Sequence, residues 1–475
     1  MVFRRTKIVC TIGPASASPR VLRKMLDRGM DVARLNFSHG SREGHRSLIQ
    51  TIRYISQQRG KEVAILQDLA GPKIRVGGIR EGSVLLKPRA DFTLTTREVP
   101  GDEREVSISF PALPSMVKRG DTILLSDGAL ELKVLSHDAQ DIRCRVVVGG
   151  LLGAHKGINL PATTLSIPAL TEKDKEDMEF GILEGVDFIA LSFVRDASDL
   201  QEARQILKER GAEIPLIAKI EKHEALNQLD GIVAASDGLM VARGDLGVEI
   251  ALENIPMLQK AIIAKANFAG KPVITATQML GSMVENPRPT RAEVTDVANA
   301  LLDGTDAVML SEETAMGRFP TEAVAMMAKI ALRTERMLLR EGRAEERGNQ
   351  GKKGGDISEA ISHATRSMAI DISAQAIITC TTSGSTARQV SKYRPPVPII
   401  AISPHLSTVR RLSLSWGVLP LLSPPYHNTD DMNNKALERT AQSGILHKGD
   451  AVVITAGIRA GVPGSTNLLK ATVIQ

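Results

Sequence analysis

Between Pro215 and Gly247 the chain reads PLIAKIEKHEALNQLDGIVAASDGLMVARGDLG, and three charged side chains within it could form one site. PLIAKI and GLMVAR each have the length of a buried parallel strand. Lys219 and Glu221 close the first and share a face, because side chains along a strand alternate with a period of two. Arg243-Gly244-Asp245 closes the second, where a glycine lets backbone approach a ligand closely. A lysine beside two hard carboxylates suits a magnesium ion bound to a phosphorylated or enolate substrate. Strand-end carboxylates that merely pair with neighbouring bases would look the same, so this segment alone leaves both readings open.

Such groups need a scaffold, and the pattern recurs along the chain. Apolar runs ending in polar residues occur at 7–11, 31–38, 63–68, 186–193, 215–221, 238–245, 271–278 and 306–313. Between most of them lie stretches of helical period, such as PRVLRKMLDRG and DLQEARQILKERG. Eight alternating units of this kind imply a (β/α)8 TIM barrel, whose chemistry sits at the carboxyl ends of its strands. Polar residues fall at those ends here: Arg34, Asn36, Ser38, Asp68, Lys219, Glu221, Asp245, Thr277, Ser311 and Glu312.

The alternation stops near Gly71 and resumes near Pro168. Between them short β-rich runs such as DFTLTT, GDTILLSDG and ALELKVLS predict a small β-barrel lid domain, inserted after the third barrel strand on the active face. The predicted division is a barrel of residues 1–70 and 170–340, an insert of 71–169, a linker of 341–356 and a C-terminal α/β regulatory domain of 357–475. The linker EGRAEERGNQGKKGGD lacks apolar periodicity and is rich in glycine and charge.

Composition sets limits on partners. At 475 residues, with 43% hydrophobic and 24% charged, the chain has the make-up of a globular protein of two or three domains. A formal charge of +6, with Lys and Arg dispersed and only 3% aromatics, argues against nucleic acid as a partner. Cys10, Cys144 and Cys380 show no metal-binding spacing, which favours a reduced compartment. MVFRRTKIVCTIG lacks a signal-peptide core and no 18-residue apolar run exists, so a cytoplasmic protein without membrane contact is expected.

KIVCTIGPAS, ARLNFSHG, QDLAGPKIR, HKGINLP, IAKIEKHEAL, ARGDLG, ITATQML and NPRPTRAEVTDVANA occur in that order over essentially the whole chain, which resembles the pyruvate kinase family. The resemblance implies phosphoryl transfer from phosphoenolpyruvate to ADP, giving pyruvate and ATP, as the last step of glycolysis by a homotetramer. It implies that Glu221 and Asp245 hold Mg2+ or Mn2+, that Arg34 binds the transferring phosphoryl group and that Lys219 stabilises the charge on the departing enolate. Thr277 relays a proton to that enolate, with capping of the next helix as its plain alternative. Gly244 and Asp245 meet the substrate carboxylate. Asn36, His39, Arg75 and Lys156 lie near the nucleotide; no Walker loop is present to cradle it.

One departure bears on cofactors. Where many family members read D-T-K-G-P-E-I-R, this chain reads DLAGPKIR (68–75), with Lys73 in place of a glutamate that accompanies potassium. The expectation is that Lys73, beside Asn36, Ser38 and Asp68, replaces the monovalent ion, so that K+ is not required. LSEETAMG also departs from the usual LSGETAKG, at Glu312 and Met316. In the last domain, Thr381, Thr382, Ser383, Ser385 and Thr386 form a hydroxyl-rich turn before a helix, and the resemblance implies a sugar-phosphate effector there, with GIRAGVPGSTN (457–467) opposite. A bare helix cap would use the same residues. Two rivals remain: a magnesium-dependent pyruvate-enolate aldolase on the same barrel, and a catalytically inactive sugar-phosphate sensor.

Overall fold

Eight parallel strands close a barrel in the order β1 (Lys7–Thr11), β2 (Val32–Asn36), β3 (Ala64–Asp68), β12 (Phe188–Leu191), β13 (Leu216–Ile220), β14 (Gly238–Ala242), β15 (Val273–Ala276) and β16 (Ala307–Leu310), which returns to β1. This computed structural model describes residues 3–161, 168–340, 356–457 and 466–474. All eight predicted runs are barrel strands. Both faces of each are buried, which is why the sequence shows continuous apolar runs rather than alternation.

The two faces serve different cores. Ile8, Cys10, Ile65, Ile189 and Leu216 face the surrounding helices, while Val9, Val32, Leu66, Ala190, Ile217 and Met240 fill the barrel interior. Counting by twos from the interior residues reaches Thr11, Arg34, Asp68, Ser192 and Lys219, so one parity carries both the core and the layer above it. Helix starts are fixed locally: Thr171 with Asp174 and Thr290 with Glu293 form capping boxes at the Glu172–Glu184 and Arg291–Asp303 helices.

The insert between β3 and β12 holds β4 (Ser83–Leu86), β5 (Asp91–Thr95), β6 (Glu105–Ser107), β7 (Thr122–Leu125), β8 (Leu130–His137), β9 (Asp141–Val148), β10 (Gly150–Gly153) and β11 (Ile158–Asn159). They form a six-stranded and a two-stranded sheet around Phe92, Leu94, Ile123, Leu132 and Ile142. The chain leaves and re-enters the barrel as a paired neck. Val76 N–H donates to Lys156 O and Ile158 N–H to Ile74 O, each at 2.9 Å, and Arg75 faces Gly157 antiparallel.

The C-terminal domain is a five-stranded sheet, β17 (Ala376–Cys380), β18 (Ile399–Ser403), β19 (Val418–Leu422), β20 (Ala451–Gly457) and β21 (Thr466–Val473), in the order β19-β18-β17-β20-β21 with only β21 antiparallel. It sits under the amino end of the barrel. Leu414 joins the barrel's interior cluster, and buried Lys7 donates to Val418 O at 2.6 Å. The predicted linker lies, except for Asp356, outside the described residues, as does most of GIRAGVPGSTN. Cys10, Cys144 and Cys380 are buried free thiols, and burial pushes Cys144 and Cys380 up to about 12. Among the described residues, no helix is long and apolar enough to cross a membrane.

Candidate active site at the barrel mouth

Four charged side chains form a chain across the mouth. Arg34 Nε donates to Asp68 Oδ2 at 2.6 Å and its Nη1 to Thr11 Oγ1 at 2.8 Å. Lys219 Nζ lies 3.3 Å from Asp68 Oδ1, 2.8 Å from Glu221 Oε1 and 2.7 Å from Ser192 Oγ. Glu221 Oε2 accepts the Phe193 N–H at 2.8 Å. Burial opposes the charge on Lys219, but Asp68 and Glu221 outweigh it and hold the ammonium above its ordinary range. Asp68 is likewise buried, yet Lys219 and Arg34 keep it below the usual carboxylate range. Glu221 goes the other way: burial raises it and the charge of Asp245 adds to that, against Lys219. Glu221 and Asp245 follow the neighbouring strands β13 and β14, and two such carboxylates are a donor set suited to a hard divalent cation.

Asp245 opens the Arg243–Glu249 helix just beyond β14 and faces a cleft of about 620 Å3 between barrel and insert. Lys73 Nζ is 3.0 Å from Asp245 Oδ1 and 3.4 Å from Asp127 Oδ1 on the β7–β8 turn of the insert. Ser311 and the exposed Glu312 also line the cleft. Nothing in the structure explains the departures at Glu312 and Met316. Thr277 Oγ1 donates to Ala276 O at 2.6 Å and accepts the Gly244 N–H at 2.8 Å, so it caps a neighbouring helix rather than the one that follows it. Thr277 and Gln278 have φ of 68° and 54°, a backbone strain of about 1 kcal/mol or more each for non-glycine residues. A second group of ligand type, His223, Glu224 and Glu249, has atoms within 4.8 Å of one another, with the Lys222 ammonium already 2.7 Å from Glu249.

The remaining predicted residues are placed less tightly. Asn36 Oδ1 accepts the Ser38 N–H at 3.1 Å, and exposed His39 offers its carbonyl to His45 Nε2 at 2.9 Å. Arg75 and exposed Lys156 meet across the neck, where Arg75 Nη1 donates to His155 O at 3.1 Å. In the C-terminal turn, Thr381 Oγ1 accepts the Gly384 N–H at 2.9 Å and buried Thr386 pairs with Thr466 at 2.8 Å. Thr382, Ser383 and Ser385 are half-buried, and the Ser385–Lys392 helix starts at Gly384 without a side-chain cap.

Ser192, Thr11, Asp127 and Arg243 were not predicted as site residues. Parity alone would have found the first two. Arg243 fixes the Gly244-Asp245 turn through Thr277 O at 2.8 Å and Asp296 at 2.7 Å, an ion pair spanning 53 residues with no local signal.

Comparisons with known proteins agree with this layout. Residues 3–324 match the family model "Pyruvate kinase, barrel domain", and residues 359–472 match "Pyruvate kinase, alpha/beta domain". The chain is 51% identical to Pyruvate kinase 2 of Synechocystis sp. over 99% of its own length and 80% of the relative's. It is 48% identical to a pyruvate kinase of Geobacillus stearothermophilus, over 99% of this chain and 81% of that one. A pyruvate kinase of Clostridium acetobutylicum is 44% identical over the full length of both. A crystal structure of a pyruvate kinase from Cryptosporidium parvum superposes with a TM-score of 0.92 at 40% identity, over 99% of this chain and 96% of that one.

Proposed function

The chain belongs to the pyruvate kinase family, and from that premise we propose that it transfers the phosphoryl group of phosphoenolpyruvate to ADP, giving pyruvate and ATP. The observation that carries the reading is the Lys219 ammonium, kept charged between Asp68 and Glu221 at the top of the barrel interior. A preorganised positive charge there suits a phosphoryl group whose leaving oxygen becomes an enolate.

Glu221 and Asp245 fit a divalent cation, Mg2+ or Mn2+, because they offer two hard carboxylates from the ends of neighbouring strands β13 and β14. When bound, such an ion supplies Lewis-acid polarisation of substrate oxygens. The chain's own groups do the rest. Arg34 presents a planar fork to the phosphoryl group, braced from behind by Asp68 and Thr11. Lys219 stands over the bridging oxygen, and Gly244 and Asp245 orient the substrate carboxylate. Thr277 passes a proton toward the enolate carbon, which requires its hydroxyl to turn from Ala276 O.

Nucleotide binding is assigned to Asn36, His39, Arg75 and Lys156. Lys73, with Asn36, Ser38 and Asp68, is assigned the place of a monovalent cation, so that turnover does not need K+. Supporting this, Asp245 and Asp127 outweigh the burial of Lys73 and hold its ammonium above the ordinary lysine range. Thr381, Thr382, Ser383, Ser385 and Thr386 are assigned to a sugar-phosphate effector. A cytoplasmic homotetramer with domain limits at 71–169, 341–356 and 357–475 completes the proposal.

A coupled assay tests the reading: ATP formed from ADP must depend on phosphoenolpyruvate. Pyruvate-enolate chemistry without ATP would favour the aldolase, and effector binding without turnover the sensor.

A further inference from the structure

One buried carboxylate at the barrel mouth touches the insert. Glu249, whose side chain is 1% exposed, ends the helix that begins with Arg243-Gly244-Asp245. Its Oε1 accepts from Lys222 Nζ at 2.7 Å and from Asn159 Nδ2 at 3.4 Å, while Oε2 lies 3.4 Å from His223 Nδ1. These partners belong to two bodies. Lys222 directly follows Glu221 on the barrel, whereas Asn159 is the last residue of β11, on the returning strand of the neck.

From Asn159 the connection runs straight into the insert. Asn159 pairs with Leu124 of β7, and β7 leads to the turn whose Asp127 reaches Lys73. The same helix touches that turn one residue earlier: a Cβ on Gly128 would lie 3.8 Å from Val248 Cγ1. Lys156, three residues before Asn159, and Arg75, opposite Gly157, ride on the neck. Asn159 is 4% exposed, and its Oδ1 is buried without a partner.

We propose that Glu249 is a positioning residue: it sets the insert over the barrel mouth by gripping Asn159 of the neck with the carboxylate oxygen that also holds Lys222 beside Glu221. This rests on the kinase reading above, because what it positions is the pair Arg75 and Lys156 relative to the transferring group. Rotation of the neck breaks this 3.4 Å contact to a buried, charged acceptor.

The test uses the full-length protein and the variants Glu249→Gln, Asn159→Ala and their combination, with His223→Gln as a control that touches Glu249 but not the insert. Amide hydrogen exchange at Val76 and Ile158 should quicken in the first two and not in His223→Gln. The KM for ADP should rise by about fivefold, the worth of one ordinary hydrogen bond, with the KM for phosphoenolpyruvate within about twofold. In neck exchange and in KM for ADP the double variant should resemble Glu249→Gln, since Asn159→Ala then removes a contact already weakened. Unchanged exchange at the neck overturns the proposal. So does a rise in both KM values together, or effects that multiply in the double variant. If the unaltered protein makes no ATP, the kinase reading falls, and the exchange data still decide the role of Glu249.

Discussion

The Lys73 ammonium lies 3.0 Å from Asp245 Oδ1, so a side chain from the start of the neck holds a carboxylate from the end of β14. An ammonium from the chain thus stands beside a proposed metal ligand. Because Asp245 and Asp127 outweigh burial, it remains charged at neutral pH.

Turnover should therefore be insensitive to potassium. In sodium-only or tetramethylammonium-only buffer, initial velocity should match that in potassium chloride within about twofold, whereas Lys73→Glu should create a potassium requirement. A large stimulation of the unaltered protein by potassium would remove the proposed role of Lys73.

Lys219→Met should lower kcat by about a thousandfold, because it deletes a fixed cation from a water-poor site. It also leaves Glu221 buried without its ion-pair partner, while Asp68 keeps Arg34, which should cost about 3 kcal/mol of stability by denaturant titration. Mn2+ binding followed by electron paramagnetic resonance should weaken in Glu221→Gln and survive in Lys219→Met. Full activity in Lys219→Met would refute the assignment.

Asp31 predicts an acid limb. Burial would raise this carboxyl, but Arg4, Lys61 and Lys7 together with the Ile8 N–H hold it down to about 2. A depressed folded value means the stabilisation is complete above about pH 4 and fades as pH falls toward 2, a loss of about 2 kcal/mol. Asp31→Asn should be less stable at neutral pH and should flatten that limb. Parallel acid-unfolding curves for the two proteins would contradict it.

Ser383 is one of the half-buried hydroxyls of the C-terminal turn, in which those of Thr381 and Thr386 are already engaged. Sugar phosphates should shift half-saturation by phosphoenolpyruvate, and Ser383→Asp should abolish that shift while preserving maximal velocity. No shift in the unaltered protein would end the effector assignment.

Much of the barrel was legible because a strand buried on both faces has to be written as an apolar run. Polar residues then stand out where the run ends. Arg34, Asp68 and Lys219 were visible for that reason, and Ser192 was missed only because parity was not followed past Ala190. Contacts between distant segments left no such trace. Asp127 reaches Lys73 across 54 residues and Glu249 reaches Asn159 across 90, and nothing in the sequence sets Asp127, Asn159 or Glu249 apart from ordinary polar residues. The left-handed backbone at Thr277 is equally silent, since its partners Arg243 and Gly244 lie more than thirty residues earlier, on the helix after β14.

Leu414 works as a cork from below: the C-terminal domain supplies the floor of the barrel's aliphatic interior. Truncation before that domain would open Val9, Phe188 and their neighbours to water from the side opposite the chemistry. The expected product is an aggregating fragment rather than a smaller working barrel, so the barrel of this chain cannot be freed of its C-terminal domain by cutting it.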